Sequence, residues 1–171
     1  MLVLFIYILF NICYNHTEWL ERLAVAQGGT VSTLKIGIVG YSGQKFDITT
    51  ANQLLSTGIA QAIAHGPEGA TVEIVSGLTN LGIPALAYQL AANIGWTTVG
   101  VACAKAEQYD CYPVDRRVIV GNEWGDESAT FLGECDVIVR VGGGKQSLEE
   151  VATYIANGGI AYQYDLAALP A

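Results

Sequence analysis

The feature that most constrains the fold is residues 136–152, which read DVIVRVGGGKQSLEEVA. An apolar run at 137–141 stops at three consecutive glycines and continues as a Gln-Ser-Leu-Glu-Glu segment with helical spacing. This order predicts a strand, a tight loop and a helix, in which Gly142, Gly143 and Gly144 allow positive φ angles and the close approach of a ligand. The alternative is a connection whose glycines serve packing alone. Three glycines exceed what a plain turn needs, so we predict a ligand site here.

The start of the helix behind these glycines is suited to an anion. Ser147 is expected where the helix begins, among free N–H groups and at the positive end of the helix dipole. A phosphate or a carboxylate is the group that such a position favours. Lys145 adds a mobile positive charge, Gln146 separates it from Ser147, and Glu150 points back toward the same pocket from the first turn.

The rest of the sequence repeats the alternation of strand and helix. Apolar runs typical of buried parallel strands occur at residues 35–40, 71–76 and 98–103. Further elements are predicted as short strands at 118–121 and 160–164 and as helices at about 50–64, 85–93 and 123–134. Thr49 or Thr50 is expected to cap the first helix, and residues 104–116 to form a polar loop. The fold class is therefore α/β, a doubly wound, mostly parallel, Rossmann-like sheet with helices on both faces.

The chain is predicted to have two parts, an apolar N-terminal helix with its linker at residues 1–30 and a Rossmann-like nucleotide-binding domain at 31–171. The apolar run at 1–13 is shorter than the ~20 residues that a membrane-spanning helix requires, and it lacks the basic start of a secretory signal. It can cover an apolar surface of the domain or of a partner subunit, associate weakly with a membrane, or result from an extended reading frame. We favour a packed or extraneous helix without stable membrane insertion.

Charge and cysteine content exclude several functional classes. The net charge is −8 with only 8 Lys and Arg residues, which leaves little material for the basic surface of a nucleic-acid-binding protein. The 4 cysteines include no C-x-x-C pair and there are 2 histidines, so we predict no metal and no cofactor. Cys103 and Cys111 can approach each other, but buried thiols in a reducing, cytoplasmic location are favoured.

Three loops that contain glycine each follow a predicted strand, at 40–43, 77–82 and 142–147. Since the carboxyl ends of parallel strands meet at one edge of a sheet, these loops should form one cradle for a nucleotide or a phosphosugar. The spacing matches neither the dinucleotide fingerprint nor the P-loop, and no histidine accompanies the serines for nucleophilic catalysis. The predicted ligand-binding residues are Gly40, Tyr41, Ser42, Gly43, Ser76, Gly77, Leu78, Thr79, Asn80, Gly82, Arg116, Gly142, Gly143, Gly144, Lys145, Gln146 and Ser147.

Residues 142–150 resemble the signature of the LONELY GUY family, historically called lysine-decarboxylase-like, whose motif runs Pro-Gly-Gly-x-Gly-Thr-x-x-Glu. A glycine, the hydroxyl residue Ser147 and the final Glu150 are kept in kind, whereas Gly142 replaces the proline and Gln146 the later glycine. The stretch IVSGLTNLGIPALA is also similar to a glycine loop of DNA-processing protein A and of molybdenum-cofactor carrier proteins. All belong to one Rossmann-like superfamily, and the resemblance covers residues 35–164.

LONELY GUY enzymes cleave the N-glycosidic bond of a nucleoside 5′-monophosphate. The resemblance implies that an Arg and the motif Glu, here Glu150, form the catalytic pair. The position expected for that Arg is near Glu127, and no Arg or Lys occurs between residues 121 and 139. A carboxylate there repels a phosphate instead of holding it. The remaining candidates for the missing charge are Arg116, Arg117 and Arg140, although a strand residue such as Arg140 can simply face solvent.

The preferred interpretation is binding of a nucleotide-like or phosphorylated small molecule with little or no catalysis. The alternative is a nucleoside 5′-monophosphate phosphoribohydrolase with Glu150 as the catalytic residue. Glu150 can also orient a ribose hydroxyl or merely cap its helix. DNA binding, by analogy with the DNA-processing relatives, ranks last because of the net charge. Since members of the family usually dimerise, we expect a homodimer or a higher homo-oligomer.

Overall fold

The computed structural model describes residues 31–170, so the predicted helix and linker at 1–30 lie outside the described residues. The strands are β1 (Thr33–Gly40), β2 (Thr71–Ser76), β3 (Thr97–Ala102), β4 (Arg116–Ile119), β5 (Val137–Val141) and β6 (Ala161–Tyr164). The helices are α1 (Ile48–His65), α2 (Gly82–Ile94), α3 (Ser128–Glu134) and α4 (Lys145–Ala156), with a 3-10 helix at Ala104–Gln108. Between residues 31 and 170, no helix combines the length and the apolar character needed to cross a membrane.

The strands of this part of the chain form a single sheet in the order β4-β3-β2-β1-β5-β6, and every neighbouring pair is parallel. The chain moves outward from β1 through β2 and β3 to β4, then crosses back to place β5 on the other side of β1. This confirms the predicted Rossmann-like α/β fold. The reversal of strand order between β1 and β5 leaves a crevice at their carboxyl ends, where sheets of this kind place ligands.

Alternating residues of each strand pack against opposite helical layers. Ile38 of β1 belongs to the apolar cluster that includes Leu55 of α1 and Ala87 of α2. The next residue, Val39, belongs to the cluster formed with Phe131 of α3 and Val151 of α4. Because side chains alternate along a strand, both faces of the sheet need an apolar cover. Burial on both faces of the sheet explains why the strands are short apolar runs without alternating polar residues.

Three helices begin elsewhere than predicted. Helix α2 begins at Gly82, three residues before the predicted residue 85. Helix α1 begins at Ile48, since the Asp47 carboxylate accepts a hydrogen bond of 2.7 Å from the backbone N–H of Thr50. The prediction of Thr49 or Thr50 as the cap was therefore wrong. Helix α3 begins only at Ser128, and residues 123–127 form a turn instead of the predicted first part of that helix.

The cysteines in residues 31–170 are free thiols. Cys103 is buried, and Cys111 and Cys135 are half-buried. Cys103 and Cys111 therefore form no disulfide with each other. Burial, with the negative charges of Asp136 and Glu134 as smaller contributions, raises the pKa of the Cys135 thiol well above its usual range.

Candidate ligand-binding site

A cavity of about 730 Å³ opens at the carboxyl edge of the sheet, at the crevice between β1 and β5. Its size is within the range of small-molecule sites, roughly 300–1,000 Å³. Its walls are the loops after β1, β2 and β5, the end of β3, and the segment that leads into α3. The three predicted loops thus meet at one cavity.

Most of the residues predicted from sequence line this cavity. They are Gly40, Tyr41, Ser42, Gly43, Ser76, Gly77, Leu78, Thr79, Gly143, Gly144, Lys145, Gln146, Ser147 and Glu150. Three further predicted residues, Asn80, Gly82 and Gly142, lie in the same loops without lining the cavity. The Asn80 amide donates a hydrogen bond of 2.9 Å to the Asp110 carboxylate, which ties the loop after β2 to the segment after β3.

Two of the three consecutive glycines adopt backbone conformations that other residues avoid. Gly142 has φ +59° and Gly143 has φ +104°, whereas the φ angle of Gly144 is −96°. A Cβ atom at Gly142 would lie 2.6 Å from the Tyr41 ring, and one at Gly143 would overlap the Ser147 hydroxyl. Space for a Cβ remains only at Gly144. The glycine run therefore lets the loop pass close to Tyr41 and to the start of α4.

Helix α4 begins two residues before Ser147, at Lys145. Gly144 is its N-cap and no side chain caps this end. The Ser147 hydroxyl donates a hydrogen bond of 2.9 Å to the Gly144 carbonyl, so its proton fixes the loop. The Ser76 hydroxyl is used in the same way, donating at 2.6 Å to the Ile38 carbonyl. The N–H groups of the first turn, which have no acceptor within a helix, are left for a ligand at the cavity wall.

The basic residues proposed from sequence are separated by the fold. Lys145 is at the cavity, with its side chain 87 % exposed and its ammonium 3.6 Å from Glu149. Arg116 is the first residue of β4, and its guanidinium pairs with Glu134 at 2.9 Å. Since all strands are parallel, that position is at the amino edge of the sheet, opposite the cavity. The structure therefore does not bring Arg116 to the other predicted ligand-binding residues.

Arg140 does not face solvent. Its side chain is 9 % exposed and pairs with the Asp165 carboxylate at 2.9 Å. Its guanidinium also donates hydrogen bonds of 2.7 Å to the Gly142 carbonyl and 3.1 Å to the Gln163 amide oxygen. The suggestion that this strand residue merely contacts solvent was wrong. Arg140 fixes the first glycine of the loop to the chain segment at the end of β6.

Two carboxylates, Glu127 and Glu150, lie at the cavity wall near α3. The amide nitrogen of Gln146 lies between them, 3.4 Å from a Glu127 oxygen and 3.1 Å from a Glu150 oxygen. The Ser128 hydroxyl donates to the same Glu150 oxygen at 2.8 Å. Burial raises the pKa of Glu150, the Ser128 and Gln146 hydrogen bonds oppose this, and the nearby Glu127 adds to the rise. The wall is therefore acidic and partly desolvated.

Trp124 and Glu127 line the cavity but were not among the predicted site residues. Glu127 was named only as the position near which the LONELY GUY resemblance implies an Arg. The sequence prediction placed both inside a helix. In the structure the Asp126 carboxylate accepts hydrogen bonds from the N–H groups of Asn122 and Glu123, and Gly125 has φ +101°. The glycines at 121 and 125, four residues apart on either side of Trp124, were the available signal for this turn.

The rim of the cavity is completed by the segment that follows β6. Ala168 lines the cavity and forms an isolated bridge with Phe46. The Leu169 N–H donates a hydrogen bond of 2.7 Å to the Lys45 carbonyl. Leu166 is buried against the core, and its Cβ lies close to Gly142. No strand or helix was predicted after residue 164, and Leu166, Ala168 and Leu169 were not among the predicted site residues.

Residues 33–164, nearly the whole of the described chain, match the SLOG cluster4 family. The chain belongs to this family. No curated protein matches the sequence. The match confirms the LONELY GUY-like resemblance predicted from residues 35–164.

Three solved structures are similar to this SLOG cluster4 protein. The molybdenum cofactor carrier protein of Chlamydomonas reinhardtii has a TM-score of 0.60 at 22% identity over 77% of this chain and 76% of its own. The protein TM1055 has a TM-score of 0.57 at 23% identity, over 75% and 72%. The molybdenum cofactor binding protein of the phototrophic bacterium Rippkaea orientalis has a TM-score of 0.56 at 20% identity, over 78% and 76%. At these identities the likeness shows a shared fold.

Proposed function

We propose that this protein binds a nucleotide-like or phosphorylated small molecule in the cavity at the carboxyl edge of the sheet, with little or no catalysis. The observation that carries the proposal is the uncapped start of α4, which meets the glycine loop at the reversal of strand order. Two of the similar solved structures are a molybdenum cofactor carrier and a molybdenum cofactor binding protein. A small-molecule ligand for this protein is consistent with the small-molecule binding of these two proteins.

Each loop has a part in this proposal. The backbone at Gly143, Gly144 and Ser147 holds the phosphate, and Lys145 contributes charge from its exposed position. Residues 77–79 contact the sugar or a second phosphate. Tyr41 or Ser42 contacts another part of the ligand, from the loop after β1. Tyr41 is held for this role by stacking on Phe46, with ring centroids 6.3 Å apart.

Little catalysis is expected because Glu127 occupies the region where the resemblance implies an Arg. Its carboxylate lies at the wall beside Glu150, so it cannot neutralise a phosphate or a developing negative charge. Neither Arg116 nor Arg140 lines the cavity in the described chain. Binding without catalysis does not require an Arg at this position.

The second candidate function is a nucleoside 5′-monophosphate phosphoribohydrolase. One observation favours it: burial raises the pKa of Glu150, and a carboxyl group with a raised pKa is suited to general acid–base work. Glu150 would then protonate the departing base or stabilise the oxocarbenium-like transition state. This function requires product formation, which simple binding does not.

The proposal extends to the assembly and the location of the protein. A homodimer is proposed, with α4 as part of the interface, because Leu148 and Ile155 lie seven residues apart on that helix and are 48% and 45% exposed. A cytoplasmic location is supported by the free thiols of Cys103, Cys111 and Cys135. We propose that residues 31–171 form the ligand-binding domain, and this proposal assigns no role to residues 1–30.

The test is a thermal-shift screen of the full chain against nucleoside mono-, di- and triphosphates, followed by chromatography of each mixture. We expect a rise in melting temperature with at least one nucleotide, which is recovered intact. Free base in the chromatogram, lost in Glu150→Gln, would replace binding by hydrolysis as the function. A melting temperature unchanged by every nucleotide would contradict both candidates.

A further inference from the structure

The acidic wall of the cavity has no basic partner. Glu127 is only 7% exposed, and Glu150 is half-buried. Between residues 31 and 170, no Lys, Arg or His forms an ion pair with either carboxylate. Buried carboxylates in proteins are normally paired with a cation or with several hydrogen-bond donors, because their desolvation is costly. Here the compensation comes from hydrogen-bond donors alone.

The hydrogen bonds within the protein use only part of the acceptor capacity of this wall. One Glu127 oxygen accepts from the Gly125 N–H at 3.0 Å, and the other is 3.4 Å from the Gln146 amide. Both donors to Glu150, Ser128 and Gln146, contact the same oxygen. A carboxylate offers about four lone-pair sites, so acceptor positions remain on both groups. A ligand atom at this wall must therefore be a donor.

The cavity wall therefore presents two kinds of group, donors and acceptors, on adjoining parts, since Gln146 in the first turn of α4 contacts both carboxylates. The start of α4 and the glycine loop present N–H donors, which suit a phosphate. The wall formed by Glu127 and Glu150 presents acceptors and negative charge, which repel a phosphate. In the described part of the chain, no third side chain of a metal-binding type groups with these carboxylates.

The neighbouring Trp124 indicates that a planar group binds at the acidic wall formed by Glu127 and Glu150. Its side chain lines the cavity, is 46% exposed, and lies against the Tyr109 ring at a centroid distance of 5.8 Å. An exposed indole at a cavity is a stacking surface for a flat ring. Glu127 lines the same cavity three residues further along the chain, so its carboxylate can meet the edge of such a ring.

We propose that Glu127 is a specificity residue that, beside Glu150, selects a heterocycle with a ring N–H next to an exocyclic amino group. This donor edge is the one that guanine carries, and a single carboxylate can accept both hydrogen bonds at once. Adenine and hypoxanthine lack the paired donors. The inference rests on the proposed binding of a phosphorylated small molecule, and it names the class of base.

The test is isothermal titration of the full chain with GMP, IMP and AMP. IMP differs from GMP only in lacking the exocyclic amino group, so it isolates one hydrogen bond. We expect wild-type protein to bind GMP at least roughly tenfold more tightly than IMP, since a hydrogen bond to a charged group contributes about 1.5–3 kcal/mol. In Glu127→Gln that preference should fall to about twofold or less, while IMP affinity stays within about twofold of wild type.

Glu107→Gln is the matched control, because it removes the same charge from an exposed position outside the cavity. The Glu107→Gln variant should keep the preference for GMP over IMP. Glu127→Asp, which keeps a carboxylate at this position, should retain part of that preference. Equal binding of GMP, IMP and AMP by wild-type protein would overturn the donor-edge proposal and leave the phosphate-binding function standing. Absence of binding by all three nucleotides would overturn both.

Discussion

Gly143 is the residue on which the geometry of the loop depends most directly. Its φ angle of +104° places it in a region that L side chains rarely adopt, and an added Cβ would overlap the Ser147 hydroxyl. Gly143→Ala should therefore lower the free energy of unfolding by about 2 kcal/mol or more. Urea denaturation followed by circular dichroism measures this loss.

Gly77→Ala is the control for that substitution. Gly77 also lines the cavity, but its φ is not in the left-handed region and no atom lies within 4 Å of an added Cβ. Its unfolding free energy should stay within about 0.5 kcal/mol of wild type. Equal losses in the two variants would contradict the role assigned to the backbone of Gly143.

Single residues of the site differed in how well sequence could predict them. Gly142 and Gly143 were predictable, because consecutive glycines after an apolar run have few structural explanations. The side-chain environment of Arg140 was not, since its partners Gln163 and Asp165 are more than twenty residues away in sequence. Trp124 was missed for a local reason: a carboxylate-capped turn outweighed the helical pattern around it.

At the level of elements, Glu134 joins three of them at the amino edge of the sheet. The carboxylate at the end of α3 contacts Lys35 of β1 at 3.2 Å and Arg116 of β4 at 2.9 Å. The hydrogen bond from Arg116, then that from Lys35, lowers the pKa of Glu134 below its usual value of 4.5. A carboxylate with a lowered pKa stabilises the fold when it is ionised.

The pH dependence of this contribution can be measured with Glu134→Gln. The sign follows from the lowered pKa: the contribution is complete above the unfolded value of 4.5 and is lost as pH falls through the lower folded value. Wild type should have the higher denaturation midpoint near neutral pH, and the difference should shrink as the buffer is made more acidic than 4.5. A difference that does not change with pH would contradict this role of Glu134.

The elements themselves were predicted best where apolar runs are buried on both sides. The bounds of β2 and β5, two strands inside the sheet, agree with the predicted residues 71–76 and 137–141, and β1 and β3 differ from their predicted bounds by one or two residues. The edge strand β4 begins two residues before the predicted 118–121, since Arg116 and Arg117 at its start are exposed. The bounds of an edge strand are determined by its hydrogen bonds to one neighbouring strand, and the pattern of apolar residues does not reveal these hydrogen bonds.

At the level of the whole molecule, we predict a homodimer. Light scattering coupled to size-exclusion chromatography should give about twice the mass of one chain. Ile155→Lys should reduce that mass to one chain, because it places a charge on the exposed apolar face of α4. Ile119→Lys, at an exposed apolar position on β4, should leave the mass unchanged. A wild-type protein with the mass of one chain would contradict the prediction.

The segment after β6 makes the binding site depend on residues outside the sheet and its helices. The strands and helices that form the floor of the cavity are complete at Tyr164, whereas Ala168 and Leu169 complete its rim against residues near Lys45. Asp165, the ionic partner of Arg140, also comes after the last strand. The closed shape of the cavity therefore depends on residues that belong to no strand or helix, and the anchoring of the glycine loop through Arg140 depends on one of them.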